Sequence, residues 1–97
     1  MNIKYLDAAL DDMIWFREYY TKVFSAGKQN ARTQLLKTER LISGNPSVGE
    51  ADEHVSGVRE YPIPGIPFTV LFRLTSDSIE FLRIYDQRSR FSNDRKR

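Results

Sequence analysis

At 97 residues the chain is long enough for one domain with a single modest core. Hydrophobic residues make up 40% and aromatic residues 12% of it, which excludes a compositionally disordered chain. The absence of cysteine excludes a disulfide framework, thiolate metal sites and cysteine nucleophiles, and it is typical of a reducing cytoplasm. No apolar run approaches the roughly 18 residues that span a bilayer, and Met1–Tyr5 does not resemble a signal peptide. The sequence therefore predicts a soluble cytoplasmic protein without membrane partners.

The net charge of +2 is distributed unevenly along the chain. Residues 83–97 carry six basic and two acidic side chains, whereas the rest of the chain carries nine basic and eleven acidic ones. A basic end on a slightly acidic body is typical of a solvated, flexible tail, expected here over residues 91–97. It is equally compatible with an electrostatic surface for nucleic acid or for an acidic protein.

The first half of the chain predicts a short strand and a helix. The apolar character of residues 3–6 indicates the strand, and an uninterrupted helical pattern follows at about 8–24. Asp7 is the expected N-cap of this helix, since its carboxylate can accept from the first free backbone N–H groups. Ser25–Gly27 is expected to end the helix.

A second helix is predicted at about 28–43, with an acidic loop after it at 45–57. Gly44 in the C′ position and Pro46 shortly after it are the expected stop signal. The spacing of four residues predicts the inner stripe of this helix: Ala31, Leu35, Thr38 and Ile42.

The second half of the chain predicts strands at 58–63, 68–74 and 79–85. Gly65 can take the positive φ of the turn between the first two, and residues 75–78 turn the chain between the last two. In the middle strand, Phe68, Val70, Phe72 and Leu74 alternate with Thr69, Leu71 and Arg73. The predicted order is β-α-α-β-β-β, an α+β fold in which an α-hairpin packs on an antiparallel sheet.

The first helix carries more apolar surface than one face requires. Its apolar and aromatic residues spread over an arc of roughly 260° when placed at helical spacing, whereas a surface helix commonly shows a stripe of about 100° or somewhat more. Part of this arc either covers the protein's own core, with the polar groups of its side chains in water, or binds a partner. The candidate partner-surface residues are Trp15, Phe16, Tyr19 and Tyr20.

Common catalytic and metal-binding motifs are absent from the sequence. His54 is the single histidine and lies in the acidic loop, which is more typical of a solvated turn than of a metal site. No GxSxG elbow, P-loop or HExxH motif occurs. Asp11 and Asp12 point about 100° apart on a helix and cannot act as a paired acid and base. We expect neither a metal nor another cofactor.

Arginine is the residue type that remains for chemistry. Five arginines come from the β half and its exit: Arg59, Arg73, Arg83, Arg88 and Arg90. Arginine can hold phosphates bidentately and stabilise developing charge without a general base. Arg73 and Arg83 are predicted on adjacent strands and therefore close in space. Arginines on the solvent-exposed face of a sheet are also common, so a functional and a purely structural interpretation of these arginines both stay open.

Several segments resemble a known family when taken in order. Gly57–Leu74 is similar to the central region of ParE-type toxins, in which a Val-Arg-Glu strand leads through a Pro-Gly turn into a strand ending in Tyr/Phe-Arg. Ile79–Arg90 resembles the closing strand and basic exit of that family. Asp7–Leu10 and Ile42–Pro46 match the opening and closing of its helical half. Together these segments cover nearly the whole chain, which thus resembles the RelE/ParE superfamily of bacterial toxins.

The resemblance implies one of two activities. RelE-like members cut mRNA in the ribosome with arginine, lysine and tyrosine residues, whereas ParE-like members lack that set and inhibit DNA gyrase. This chain has Thr69 where the nuclease pattern places a basic residue, and Phe91 rather than a tyrosine after the last strand. If it is a nuclease, the remaining candidate residues are Arg73, Arg83 and Arg88.

The resemblance therefore favours a ParE-like toxin that binds gyrase and is neutralised by a cognate antitoxin. The expected target-binding residues are Arg59, Arg88, Arg90 and Phe91. The expected antitoxin or oligomer surface is the aromatic set of the first helix, with a homodimer or a toxin–antitoxin hetero-oligomer as its assembly. A ribosome-dependent mRNA endonuclease and a non-toxic partner-binding scaffold are the alternatives.

Overall fold

The computed structural model describes residues 1–88, in which two α-helices are combined with one sheet. The predictions for Arg90, Phe91 and the tail lie outside the described residues. The helical half consists of β1 (Asn2–Tyr5), α1 (Asp7–Glu18), a π-helical turn (Tyr19–Val23), a 3₁₀ turn (Ser25–Gly27) and α2 (Lys28–Gly44). The strands that follow are β2 (Glu50–Ala51), β3 (Val58–Pro62), β4 (Phe68–Leu74) and β5 (Ser78–Asp86).

The sheet has the strand order β1-β5-β4-β3-β2. The predicted α+β class is confirmed, and β2 to β5 form the expected antiparallel part. The sheet as a whole is mixed, because β1 lies parallel to β5 with Ile3 opposite Ile79 and Tyr5 opposite Phe81. A four-residue strand carries no sequence signal for its pairing partner, so its place at this edge was not predictable.

The first helix differs from its prediction at both ends. Its N-cap is Leu6 rather than Asp7, and Asp7 occupies the first turn, where its charge favours the helix dipole. The α-helix ends at Glu18 instead of 24, and the backbone continues as a π-helix. In that turn the Phe24 N–H donates to the Tyr19 carbonyl at 2.8 Å. Composition does not distinguish an α- from a π-helical turn, and the latter is common at functional sites.

The second helix buries the stripe that the sequence predicted: Ala31, Leu35, Thr38 and Ile42. It extends one residue further than expected, so Gly44 is its last residue and not the C′ position. Asn45 is the C-cap, and its N–H donates to the Leu41 carbonyl at 2.8 Å. A side-chain-bearing residue thus ends the helix without a left-handed backbone.

The acidic loop contains a strand that the sequence did not indicate. β2 pairs antiparallel with β3, so Glu50 faces Glu60 and Ala51 faces Arg59. Gly49 precedes it with φ of 80°, and a Cβ there would lie 2.2 Å from the Glu60 carbonyl oxygen. Only glycine fits this close approach of two backbones. At the next turn Gly65 has the predicted positive φ of 80°.

The core lies between the two helices and the helix-facing side of the sheet. β4 supplies its centre, since Phe68, Val70 and Phe72 are fully buried. The expected alternation of buried and exposed residues is wrong for this strand, because Thr69 and Leu71 are buried as well and Leu74 is exposed. β4 is the middle strand of the sheet and has buried residues on both of its faces, so the period-2 pattern on which the prediction depended is lost.

A largely buried ion pair joins the first helix to the last strand. Arg83 Nε and Nη2 donate to Asp12 Oδ2 and Oδ1, each at 2.8 Å. The Ile84 backbone N–H donates to the same carboxylate at 2.8 Å. The two side chains are only 21% and 14% exposed. This bidentate geometry fixes α1 along β5 across a sequence separation of 71 residues.

A second set of polar contacts joins β1 to α2. The Tyr5 hydroxyl donates to the Glu39 carboxylate. Burial raises the pKa of Tyr5, and the hydrogen bond to Glu39 and its charge raise it further. Tyr5 therefore remains a proton donor at neutral pH. Near the helix end, Ser43 Oγ donates to the Met1 carbonyl at 2.6 Å.

Asp12→Asn should lower the free energy of unfolding by about 2 kcal/mol, because the partly buried Arg83 loses its counter-charge and one acceptor oxygen becomes an amide. The matched control is Asp11→Asn, since Asp11 is exposed and its side chain makes no hydrogen bond within residues 1–88. Urea unfolding of both variants measures the difference. Equal stability of the two variants would contradict the role given to Asp12.

Thr38→Val should raise the free energy of unfolding by about 1 kcal/mol, because Thr38 Oγ1 is buried without a hydrogen-bond partner in the described part of the chain. Thr69→Val is the contrasting variant. Thr69 is also buried, but its Oγ1 accepts a 2.8 Å hydrogen bond from Gln87 Nε2, so this substitution should destabilise. Thermal unfolding that shifts both variants in the same direction would contradict this assignment.

Candidate functional site

Three of the predicted partner and target residues meet on the surface at the end of α1. Trp15 is 48% exposed and stacks on Tyr19, with ring centroids 5.6 Å apart and an interplanar angle of 21°. The Arg88 guanidinium lies over the Tyr19 ring, 5.1 Å from its centroid. We call these three residues the Trp15 cluster. The sequence placed Trp15 and Tyr19 on one surface and Arg88 on another, and the structure joins them.

The position of the Trp15 cluster follows from both ends of the fold. Trp15 and Tyr19 are one helical turn apart, and Trp15 also contacts the core ring of Phe68 at 5.6 Å between centroids. The exit of β5 is held by Gln87, whose N–H donates to the Pro67 carbonyl at 2.8 Å. Arg88 therefore leaves the sheet at a defined place beside Tyr19.

Arg88 is also held by Asp86, two residues before it. Its backbone N–H and Nε donate to Oδ1 at 2.8 and 3.0 Å, and Nη2 donates to Oδ2 at 2.8 Å. Burial alone would raise the pKa of Asp86, but the hydrogen bonds and charge of Arg88 lower it below its ordinary value. The same carboxylate, followed by Tyr19, raises the pKa of Arg88. Arg88 is thus an oriented cation whose charge is partly balanced.

The other two aromatic residues of the predicted surface belong to the core. Phe16 is 4% and Tyr20 3% exposed, so neither presents a broad exposed face as Trp15 does. Phe16 packs edge-on against Phe68 with centroids 4.9 Å apart. Burial raises the pKa of Tyr20 above its ordinary value. The exposed aliphatic residues of α1 are instead Leu10 and Ile14, which the sequence pattern left undistinguished from the buried ones.

The arginines of the sheet are bound within the protein. Arg73 Nε donates to Glu80 at 2.7 Å across β4 and β5. Arg83 is held by Asp12. Although these two arginines lie on adjacent strands as predicted, each has its own carboxylate.

Arg59 lies apart from the Trp15 cluster, on β3 at the other side of the sheet. Its Nε donates to the Val48 carbonyl at 2.9 Å and its Nη2 to the Gly49 carbonyl at 2.8 Å. These bonds fix the chain before β2. The geometry therefore indicates a structural role for Arg59. Its position on β3 does not support the predicted role in target binding.

The acidic loop is organised by hydrogen bonds to Asp52. The N–H groups of His54 and Val55 donate to Asp52 Oδ2 at 2.9 and 2.8 Å, which closes a turn. Among the described residues, no three histidine, cysteine or carboxylate side chains are grouped to hold a metal ion. Within the same residues, no helix has both the length and the apolarity to cross a membrane.

A groove of about 470 Å³ runs between α1 and α2. Its apolar floor includes Met13, Phe16, Tyr20, Ala31 and Leu35. Three cations stand at its rim: Arg17, Lys28 and Arg32. The single carboxylate in its lining is Glu39, which accepts from Tyr5. The sequence pattern did not reveal this groove. The sequence feature that could have indicated the groove is the row of basic residues beside the predicted inner stripe of α2.

No protein-family model and no curated protein matches the sequence. A solved structure from the chromosomal ParDE TA system of P. aeruginosa matches the fold with a TM-score of 0.69 and 22% sequence identity. The match covers 89% of this chain and 95% of the other. At this identity the likeness shows a shared fold, consistent with the predicted α+β fold.

Proposed function

We propose that this chain is the toxin of a type II toxin–antitoxin pair, of the ParE-like branch, and that it acts in the cytoplasm by binding DNA gyrase. The observation that carries the proposal is the fold shared with a ParDE toxin–antitoxin structure over 89% of the chain. The resemblance of Gly57–Leu74 to the central region of ParE-type toxins supports the choice of branch.

The state of the arginines favours binding over RNA cleavage. Each of the three arginines available to a nuclease, Arg73, Arg83 and Arg88, forms an ion pair with a carboxylate. An arginine that stabilises a transition state must direct its charge at the reacting phosphate, and a neighbouring carboxylate opposes that. Cleavage also requires a proton acceptor and a donor held with the cation. The mRNA endonuclease is therefore the second candidate.

The Trp15 cluster is the proposed target surface, continued by Arg90 and Phe91 in the chain. Trp15 offers a large apolar area, and the Arg88 side chain is 51% exposed beside it. Tryptophan, tyrosine and arginine are the residues most enriched among those that dominate binding energy at interfaces. Because Asp86 orients Arg88, little side-chain entropy is lost when a partner binds there.

The groove between α1 and α2 is the proposed antitoxin site. An apolar floor with Arg17, Lys28 and Arg32 at its rim is complementary to an amphipathic helix whose polar face is acidic. Apolar contacts supply most of the affinity, while the rim cations select an acidic partner and fix its register. The toxin would thus be neutralised by a segment that covers the α-hairpin.

Arg32→Glu should weaken antitoxin binding about tenfold, which corresponds to 1.4 kcal/mol, because it replaces an attraction at the rim with a repulsion. Arg40→Glu is the matched control, since Arg40 is exposed on the same helix but does not line the groove. Titration of each purified variant with the antitoxin encoded beside it measures the Kd. Equal weakening by both substitutions would mean that only net charge matters and would contradict the site.

Expression without the antitoxin should arrest growth with SOS induction and DNA breaks. Arg88→Ala combined with Arg90→Ala should abolish the arrest while melting temperature and antitoxin binding stay nearly unchanged, because Arg88 belongs to the Trp15 cluster and not to the core or the groove, and Arg90 follows it closely in the sequence. Arg73→Ala is the control, as it removes an exposed arginine from another ion pair. Codon-dependent mRNA cleavage that is lost in Arg88→Ala would favour the endonuclease. No growth arrest at all would favour the non-toxic scaffold.

A further inference from the structure

A lone carboxylate lies at the β1 end of the groove between α1 and α2. Glu39 is the one carboxylate that the described residues contribute to the lining of the groove, and it is half-buried. Its Oε2 accepts a hydrogen bond from the Tyr5 hydroxyl. Within residues 1–88 its Oε1 accepts no hydrogen bond, and the carboxylate forms no ion pair. Glu39 therefore has an unused acceptor oxygen and no counter-ion in the described part of the chain.

The other charges that line the groove are positive. Lys28 and Arg32 precede Glu39 on α2 by about three and two helical turns, and Arg17 is contributed by α1. These three cations are exposed, and among residues 1–88 none forms an ion pair or a hydrogen bond through its side chain. The groove thus presents positive charge near the turn that joins the helices and one negative charge at its far end.

Charges outside the groove do not pair with Glu39. A second, shallow hollow lies beyond it, lined by Glu39 together with Arg40 and Met1. The Met1 ammonium donates to Ser43 Oγ at 3.2 Å, and Arg40 is exposed without forming an ion pair to Glu39. The exposed acidic residues of α1 line neither of these cavities: Asp7, Asp11 and Glu18. Glu39 is therefore the carboxylate that an occupant of the groove meets.

We infer that Glu39 selects the charge pattern of the antitoxin, an inference that rests on the antitoxin site proposed above. Covering the groove removes water from Glu39, and a carboxylate with an unused acceptor is costly to bury unless the partner donates to it. A partner carboxylate there would repel Glu39, and an apolar residue would leave it unpaired. The occupant that fits is an amphipathic helix with carboxylates beside Lys28 and Arg32 and a lysine or arginine beside Glu39.

This pattern also fixes the register of the partner helix. A groove with cations alone would accept an acidic helix in several positions, each displaced from the next by one helical turn of about 5.4 Å. With Glu39 at the end, displacement of the partner towards β1 brings one of its carboxylates against Glu39. Displacement in the other direction brings its cation towards Arg32. One position is therefore favoured over its neighbours.

Substitution of Glu39 distinguishes this inference from attraction by net charge. Glu39→Lys makes the groove more basic, so attraction by net charge predicts tighter binding of an acidic antitoxin. We expect instead that the Kd of the antitoxin encoded beside the chain rises at least about tenfold. Glu18→Lys is the matched control, because it makes the same change of charge at an exposed position outside the groove and should not raise the Kd. Titration calorimetry that finds unchanged or tighter binding by Glu39→Lys, or equal weakening by both variants, would overturn the inference.

A second pair of variants separates the charge of Glu39 from its hydrogen bond to Tyr5. Glu39→Gln keeps an acceptor for the Tyr5 hydroxyl and removes the charge, so it should weaken antitoxin binding about fivefold. Tyr5→Phe removes the hydrogen bond and keeps the carboxylate, so it should retain the affinity within about twofold. Circular dichroism confirms that both variants are folded. If Tyr5→Phe weakens binding as much as Glu39→Gln does, Glu39 only holds β1 against α2 and the inference fails.

Charge reversal on the antitoxin identifies the residue that meets Glu39. Each lysine and arginine of its toxin-binding segment is changed to glutamate in turn, and every variant is titrated against the wild type and Glu39→Lys. One substitution should weaken binding to the wild type and restore binding to Glu39→Lys, because it re-forms the ion pair with its charges exchanged. Absence of such a position would overturn the inferred pattern.

Arg32→Glu distinguishes failure of this inference from failure of the proposed function. If Arg32→Glu weakens binding and the Glu39 variants bind like the wild type, the groove remains the antitoxin site and the inference alone fails. If the antitoxin binds but neither residue affects the Kd, the groove is not its site and the inference fails with it. An antitoxin that does not bind the wild type would contradict the toxin–antitoxin pair itself and, with it, this inference.

Discussion

One carboxylate determines how the two halves of this chain fit together. Asp12 accepts two hydrogen bonds from Arg83 and a third from the Ile84 backbone, so a single residue of α1 fixes both the side chain and the main chain of β5. With α1 set at this angle, Phe16 and Tyr20 enter the core beside Phe68. The same orientation leaves Trp15 and Tyr19 at the end of β5, where Arg88 leaves the sheet.

Local periodicity predicted the parts of the fold that depend on local geometry. The inner stripe of α2 and the positive φ of Gly65 were both predicted, because each depends on residues a few positions apart. The parallel pairing of β1 with β5 was not predicted, since it is decided by contacts between the two ends of the described chain. The bond between Asp12 and Arg83 belongs to the same class of long-range effects. The π-turn at Tyr19 is local, but the composition of the segment does not distinguish it from an α-helical turn.

The candidate site was predictable in its residue types and not in its arrangement. An excess of aromatic residues on the first helix indicated a surface, but the sequence did not show that Phe16 and Tyr20 face the sheet while Leu10 and Ile14 face solvent. Arg88 was found from its place after the last strand. Arg59 was predicted to bind the target because it offers the same chemistry, but its guanidinium already donates to the carbonyls of Val48 and Gly49. The type of a residue indicates which groups its side chain can bind. Only the fold determines whether that side chain is already bound within the protein.

The central functional claim is that the protein acts by binding and not by cutting RNA. A supercoiling assay with purified gyrase, relaxed plasmid and purified protein tests it most directly, with a parallel reaction on ribosomes programmed with mRNA. We expect inhibited supercoiling or accumulated cleaved DNA, reversed by an excess of the antitoxin, and intact mRNA. Unaffected gyrase together with cleavage of mRNA in the ribosomal A site would contradict the claim.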